Sequence, residues 1–163
     1  MIYKKKSLII DGFKPEILGK KYSTPLYFYS LKTIKKNIIN FKKNFKKIDP
    51  LICFAVKANS NKIILQKIGK LGLGADVVSM GELMKALKSG IKPNKIVFSG
   101  VGNTSKEITF AIEKNILLIN AESKSEILEI EKIAKSKKRK ISVGIRLNPN
   151  IDAKTLSQIS TGK

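Results

Sequence analysis

A chain of 163 residues with 42% hydrophobic and 28% charged residues can bury one packed core, and reads as soluble and globular, one domain or part of one. It contains no histidine and a single cysteine, Cys53, which removes Ser-His catalysis, zinc sites built on His or Cys and any disulfide framework; no metal is expected. The net charge of +21 invites a nucleic-acid reading, but only Arg139 and Arg146 are arginines and the lysines are spread along the whole chain, so the charge reads as solvation with no specific nucleic-acid partner.

No apolar stretch reaches the roughly 18 residues of a membrane span, and the basic start has no long apolar core behind it; a cytoplasmic protein with no membrane partner is expected. In chain order, residues 1–30 form a leading segment in which Thr24 to Ser30 reads as a strand, and Ile34, Ile38, Phe41 and Phe45 then give a helical stripe. Short β-branched runs follow at Leu51 to Val56, Ala75 to Val78, Ile96 to Phe98, Leu117 to Ile119 and Ile141 to Leu147, starting 24, 21, 21 and 24 residues apart. Between them lie helical patterns: Ile64, Ile68 and Leu71; Leu83, Met84 and Leu87; Ile108, Ala111 and Ile112; Ile127, Ile130 and Ile133. Thr104 three before Glu107 and Ser123 three before Glu126 are capping signals, and Gly90 sits where a helix should stop.

Strands alternating with helices at this spacing predict parallel neighbours in an α/β fold, either a doubly wound sheet or a (β/α)8 barrel. The glycines favour no dinucleotide site. Gly72-Leu73-Gly74 precedes a strand, and Gly100-Val101-Gly102 follows one but lacks the third glycine, so a plain turn suits it at least as well as a phosphate cradle.

Phe54-Ala55-Val56-Lys57-Ala58-Asn59 ends an apolar run with one lysine where a parallel strand hands over to a loop. A lysine rooted in an apolar strand end loses hydration, its pKa falls from about 10.4, and its amine becomes able to attack a carbonyl such as that of pyridoxal phosphate. A charge that merely closes a hydrophobic strand is the competing reading. In a barrel the C-terminal strand ends converge on one rim. Here those ends carry Lys57 and Asn59, Asp76 and Ser79, Ser99 and Gly100, Asn120 and Glu122, and Arg146 and Asn148. Alternation in Ile141 to Leu147 groups Arg146 with Ser142 and Gly144, a small-residue face with room for a buried guanidinium, whose anionic partner would be Asp76, a cofactor or a substrate carboxylate.

These residues together resemble the N-terminal part of the pyridoxal-phosphate-dependent ornithine, diaminopimelate and arginine decarboxylases, with the alanine-racemase-like barrel. The segments that carry the resemblance are Tyr22 to Ser30, Phe54 to Asn59, Ala75 to Leu83 and Asn120 to Ser123. Arg146 to Thr155 followed by Ile159 to Gly162 is similar to the diaminopimelate branch in particular. The resemblance implies decarboxylation of meso-diaminopimelate to L-lysine, with another basic amino acid as the alternative substrate; a non-catalytic, lysine-rich, anion-binding βα protein is the alternative outside the family. It further implies that Lys57 anchors pyridoxal phosphate, that Asp76 and Arg146 lie beside it, that Asn59, Ser99, Asp152 and Thr155 serve the substrate or its loop, and that the full-length enzyme is a homodimer. The family places a histidine directly after the threonine of Asp152-Ala153-Lys154-Thr155; Leu156 stands there. A complete barrel takes about 250 residues. The expected fold is therefore a partial (β/α)8 barrel of about five βα units over residues 1–163, ending before the barrel closes and before a C-terminal β domain. Residues 1–30 would supply a strand to that domain, and the chain alone would be inactive.

Overall fold

The computed structural model describes residues 2–4, 7–45, 47–151 and 154. They divide into two compact units, residues 1–50 and the remainder. In the first, β1 (Ile2–Lys4) and β2 (Ser7–Ile9) pair antiparallel, with Tyr3 opposite Leu8. Helix α1 (Pro15–Tyr22) opens on a proline, whose missing N–H would have had no helical partner in any case. Helix α2 (Leu31–Asn44) is capped by Ser30, whose hydroxyl accepts from the Thr33 N–H at 2.9 Å. The predicted stripe thus forms its helix, but the strand predicted over 24–30 does not: this stretch joins no ladder among the described residues. A strand is held by its neighbour, and β-branched and aromatic composition alone does not make one.

The second unit carries the core. Strands β3 (Cys53–Ala55), β4 (Gly74–Val77), β5 (Ile96–Phe98), β6 (Leu118–Ala121) and β7 (Ser142–Ile145) form one parallel sheet in sequential order. Helices α3 (Lys62–Lys70), α4 (Met80–Lys88), α5 (Ser105–Glu113) and α6 (Lys124–Ser136) make the four crossovers. Sequential order separates the two predicted architectures, because a doubly wound sheet reverses direction at a switch point and a barrel does not. The register is Cys53 to Gly74, Ala75 to Ile96, Val97 to Leu118 and Leu118 to Ser142.

Burial alternates along these strands. Ala75, Val77, Ile96, Phe98, Ile119 and Ala121 are wholly buried, together with Leu65, Ile68, Leu83, Ile108, Ile112 and Ile130 of the helices. The intervening Asp76, Val97, Leu118 and Asn120 are half-buried. Helices therefore cover one face of the sheet and leave the other partly open. Each large side chain on the covered face contributes about 1.5–3 kcal/mol by leaving water. Gly74 is buried at a spot where a Cβ would collide with the Lys95 carbonyl, which allows β4 and the 3-10 turn before β5 (Pro93–Lys95) to approach. Among the described residues no helix is long and apolar enough to cross a membrane.

Side chains of the first helical turns tie successive βα units together. Ser79 caps α4, accepting from the Glu82 N–H at 3.3 Å, and the Glu82 carboxylate accepts from the Val78 N–H at 2.9 Å. Thr104 and Glu107 form the reciprocal capping box of α5. The other Glu107 oxygen accepts from the Met80 N–H at 3.1 Å, in the preceding unit. Backbone donors from Thr104 and Met80 and the Thr104 hydroxyl hold the Glu107 carboxyl below its ordinary pKa. A carboxyl depressed in this way stabilises the fold fully above its unfolded pKa, and the contribution is lost as pH falls through the lower folded value. Thr104→Ala should therefore cost about 1 kcal/mol in urea unfolding at neutral pH. Glu107→Gln should flatten the acid limb of the stability profile below about pH 4.3.

Candidate functional site

Because the strands are parallel, all five C-terminal ends lie on one rim of the sheet, and the sequence-predicted residues are distributed along it. Lys57 follows β3 in a 3-10 turn, Val56–Ala58. Val56 keeps the covered-face alternation of β3, in which Phe54 pairs with Ala75, and is completely buried, while Lys57 is exposed. The loss of hydration expected of a lysine rooted in an apolar strand is thus not found here; burial goes to the neighbouring valine. Lys57 is two residues past Ala55, the register partner of Asp76.

Asp76 lies within β4 on the half-buried face and accepts a hydrogen bond from the Ser99 hydroxyl at 2.6 Å. Ser99 immediately follows β5, and its N–H donates to the Val77 carbonyl at 2.8 Å, which fixes it beside β4. Its hydroxyl accepts in turn from the Asn120 amide of β6 at 3.0 Å. Across from Asn120 in β7 is Gly144, where a Cβ would collide with the Asn120 side-chain oxygen. Three successive βα units thus contribute polar groups to one row on the open face, and β7 makes room for it with Gly144.

Arg146 follows β7 and continues its pairing, donating its N–H to the Ala121 carbonyl at 3.0 Å. Its guanidinium binds the Glu122 carboxylate at 2.6 Å, with 54% of the arginine side chain exposed. The predicted buried arginine is therefore a rim arginine, and its partner is Glu122 instead of Asp76: it lies at the last paired position, just past β7, where the acid that follows the adjacent strand β6 is within reach. Arg146, Glu122, Val101, Leu147, Asn148 and Pro149 line an open cleft of about 490 Å³.

The remaining predicted positions are local. The Asn59 side chain accepts from the Asn61 N–H at 3.0 Å, a turn contact, and Asn61 caps α3. Gly100-Val101-Gly102 is a turn: Gly102 has φ +68°, and a Cβ on Gly100 would collide with Asn103. Asp152 and Thr155, with Leu156, lie outside the described residues. Sequence reasoning passed over Asn103, whose amide donates to the Gly100 carbonyl at 3.0 Å and to Glu126 at 2.8 Å, bracing this turn against α6. The signal was present as Gly-x-Gly-Asn before a helix cap, a common turn composition.

Residues 31–163 match the family model described as pyridoxal-dependent decarboxylase, pyridoxal binding domain. The diaminopimelate decarboxylase of Helicobacter pylori strain J99 is 53% identical over 150 residues, which are 92% of this chain and 37% of that protein. The diaminopimelate decarboxylase of Aquifex aeolicus is 44% identical over 160 residues, 98% of this chain and 38% of that one. The crystal structure of diaminopimelate decarboxylase from M. jannaschii in co-complex with L-lysine superposes with a TM-score of 0.87 at 40% identity, covering 97% of this chain and 38% of the other. The chain spans little more than a third of the length of these relatives.

Cys53 reports on the electrostatics of the open face. Partial burial pushes its thiol above the ordinary value, and the negative charge of Asp76 pushes it further in the same direction. Alkylation of Cys53 near pH 8 should be slower than that of a free cysteine. Asp76→Asn should accelerate it by less than about tenfold, since burial, the larger cause, persists. An Asp76→Asn rate equal to the parent's, followed by peptide mass spectrometry, would show that the two groups do not feel each other.

Proposed function

We propose that this chain, which belongs to the pyridoxal-dependent decarboxylase family, is the lysine-bearing part of an enzyme that decarboxylates meso-diaminopimelate to L-lysine with pyridoxal phosphate. The observation that carries the reading is the placement of Lys57: an exposed primary amine in the turn after β3, next to the strand that holds Asp76. The described residues fit the cofactor's reactive end. Lys57 supplies an amine able to bond its carbonyl, and the open face beside it is polar and ends at β7 in Gly144, where a side chain would not fit.

When bound, pyridoxal phosphate supplies a conjugated ring that accepts the electron pair left behind as carbon dioxide departs. The chain's own residues have simpler tasks. Lys57 holds the cofactor covalently and yields its place to the substrate amine. Asp76 presents a fixed negative charge on the open face, favouring a cationic group there. Arg146, half neutralised by Glu122, offers a rim cation to an anionic group at the cleft. Asn59 and Ser99 shape the two turns that flank this face, and Asp152 and Thr155 are proposed to belong to a loop at its mouth. In the whole protein, residues 1–30 pair with a later β domain, and two copies form a cytoplasmic homodimer.

Two measurements test the reading in the whole protein that carries this chain. Added pyridoxal phosphate should produce an imine absorption band that Lys57→Ala abolishes, together with carbon dioxide release from meso-diaminopimelate; a band that survives Lys57→Ala would remove the anchor assignment. Nucleic-acid binding should be nonspecific and should disappear as salt approaches about 0.15 M, as screening of a diffuse lysine surface requires.

A further inference from the structure

The Asp76 carboxylate is held from one side only. Ser99 donates to Oδ1, and the Asp76 carboxylate makes no other hydrogen bond or ion pair among the described residues. A serine hydroxyl has one proton and can turn to donate in several directions. Here the Asn120 amide donates to the Ser99 oxygen, which occupies that oxygen's acceptor side and directs the single proton toward Asp76. The glycine opposite Asn120 in β7, Gly144, leaves the space that the Asn120 side-chain oxygen occupies, which a Cβ there would fill. The row thus has a direction, with a donor passing to a donor and ending at a carboxylate.

We propose that Ser99 and Asn120 are positioning residues: together they lock Oδ1 of Asp76 and leave Oδ2 facing the open side of the sheet for a cationic group of the ligand carried by Lys57. The proposal rests on the reading of Lys57 as the cofactor anchor. Asn120 acts on Asp76 only through Ser99, and this gives a prediction that ordinary packing does not make. Two residues acting independently have additive effects, whereas two in series do not.

The test uses the whole protein that carries this chain, with Ser99→Ala, Ser99→Thr, Asn120→Ala and the Ser99→Ala, Asn120→Ala double variant. Ser99→Ala should weaken pyridoxal phosphate binding by about tenfold, the usual scale for a hydrogen bond to a charged group. Asn120→Ala should weaken it by about threefold, and the double variant should match Ser99→Ala alone. Ser99→Thr keeps the hydroxyl and should bind within about twofold of the parent. In cofactor-free protein, releasing Asp76 lets its charge turn toward water and away from Cys53. Alkylation of Cys53 should therefore speed up in Ser99→Ala, in the direction that Asp76→Asn produces. Parent-like binding and parent-like Cys53 rates in Ser99→Ala, with only the melting temperature lowered, would reduce the row to packing and overturn the proposal. So would additive losses in the double variant. If the parent itself fails to bind pyridoxal phosphate, the reading of Lys57 falls, and the Cys53 rates alone still decide whether Ser99 and Asn120 hold Asp76.

Discussion

The cover on the five-stranded parallel sheet is one-sided, and the rest of the structure follows from it. The connecting helices carry the buried apolar residues that meet the covered face, where Ala75, Val77, Ile96, Phe98, Ile119 and Ala121 are sealed from water. A parallel sheet closed on both faces would be apolar at nearly every strand position. Here every second position is freed from that demand. Asp76 and Asn120 can therefore sit inside strands, because the half-buried face leaves them partly solvated and Ser99 supplies the hydrogen bonds that burial would otherwise make costly to lose. Polar groups in the middle of a sheet and a rim rich in chemistry are two results of the same asymmetry.

The repeat visible in the apolar runs recurs in the side-chain bonds. Links join Asn103 to Glu126, Ser105 to Glu129, Glu113 to Lys137, Asn115 to Arg139 and Glu122 to Arg146, each 23 or 24 residues apart. That distance is one βα unit, so each bond fastens a helix or loop to its successor. Most are exposed, so each contributes little to stability by itself. Their collective effect is on geometry: the repeat stays in phase, and the strand ends reach the same rim.

What was legible in the sequence was what period and local chemistry dictate. All five strands, the crossover helices and the Thr104 cap fall where the apolar spacing and capping residues put them. The choice between barrel and doubly wound sheet was not legible in spacing, because strand order depends on long-range pairing that no local pattern records; the family resemblance supplied it, and the sequential strand order agrees. Three positions also went astray, each for a physical reason. Residues 24–30 have strand composition without a ladder partner among the described residues. Lys57 follows Val56, which keeps the covered-face alternation set by Phe54 opposite Ala75 and takes the burial, so the lysine in the 3-10 turn is left exposed. Arg146 lies one residue beyond the end of β7, so its neighbour in space is the acid that follows the adjacent strand. At element boundaries the periodicity that supports a sequence reading changes from one residue to the next.

Charge gives the remaining step. Only 12 acidic residues face 33 basic ones, and most of those in the five-stranded unit are opposed by a lysine or arginine or accept backbone N–H groups. Glu82, Glu107 and Glu126 accept backbone N–H groups at helix starts. Glu113, Glu122, Glu129 and Glu131 pair with cations. Asp76 does neither: it is the acid set inside a strand, and among the described residues its one hydrogen bond comes from a neutral hydroxyl. In a molecule with so many lysines, a cation near the open face could have neutralised it at little cost. Keeping it unopposed leaves a negative potential on the side of the sheet where Lys57 emerges, and that potential is free to act on whatever cationic group is brought there.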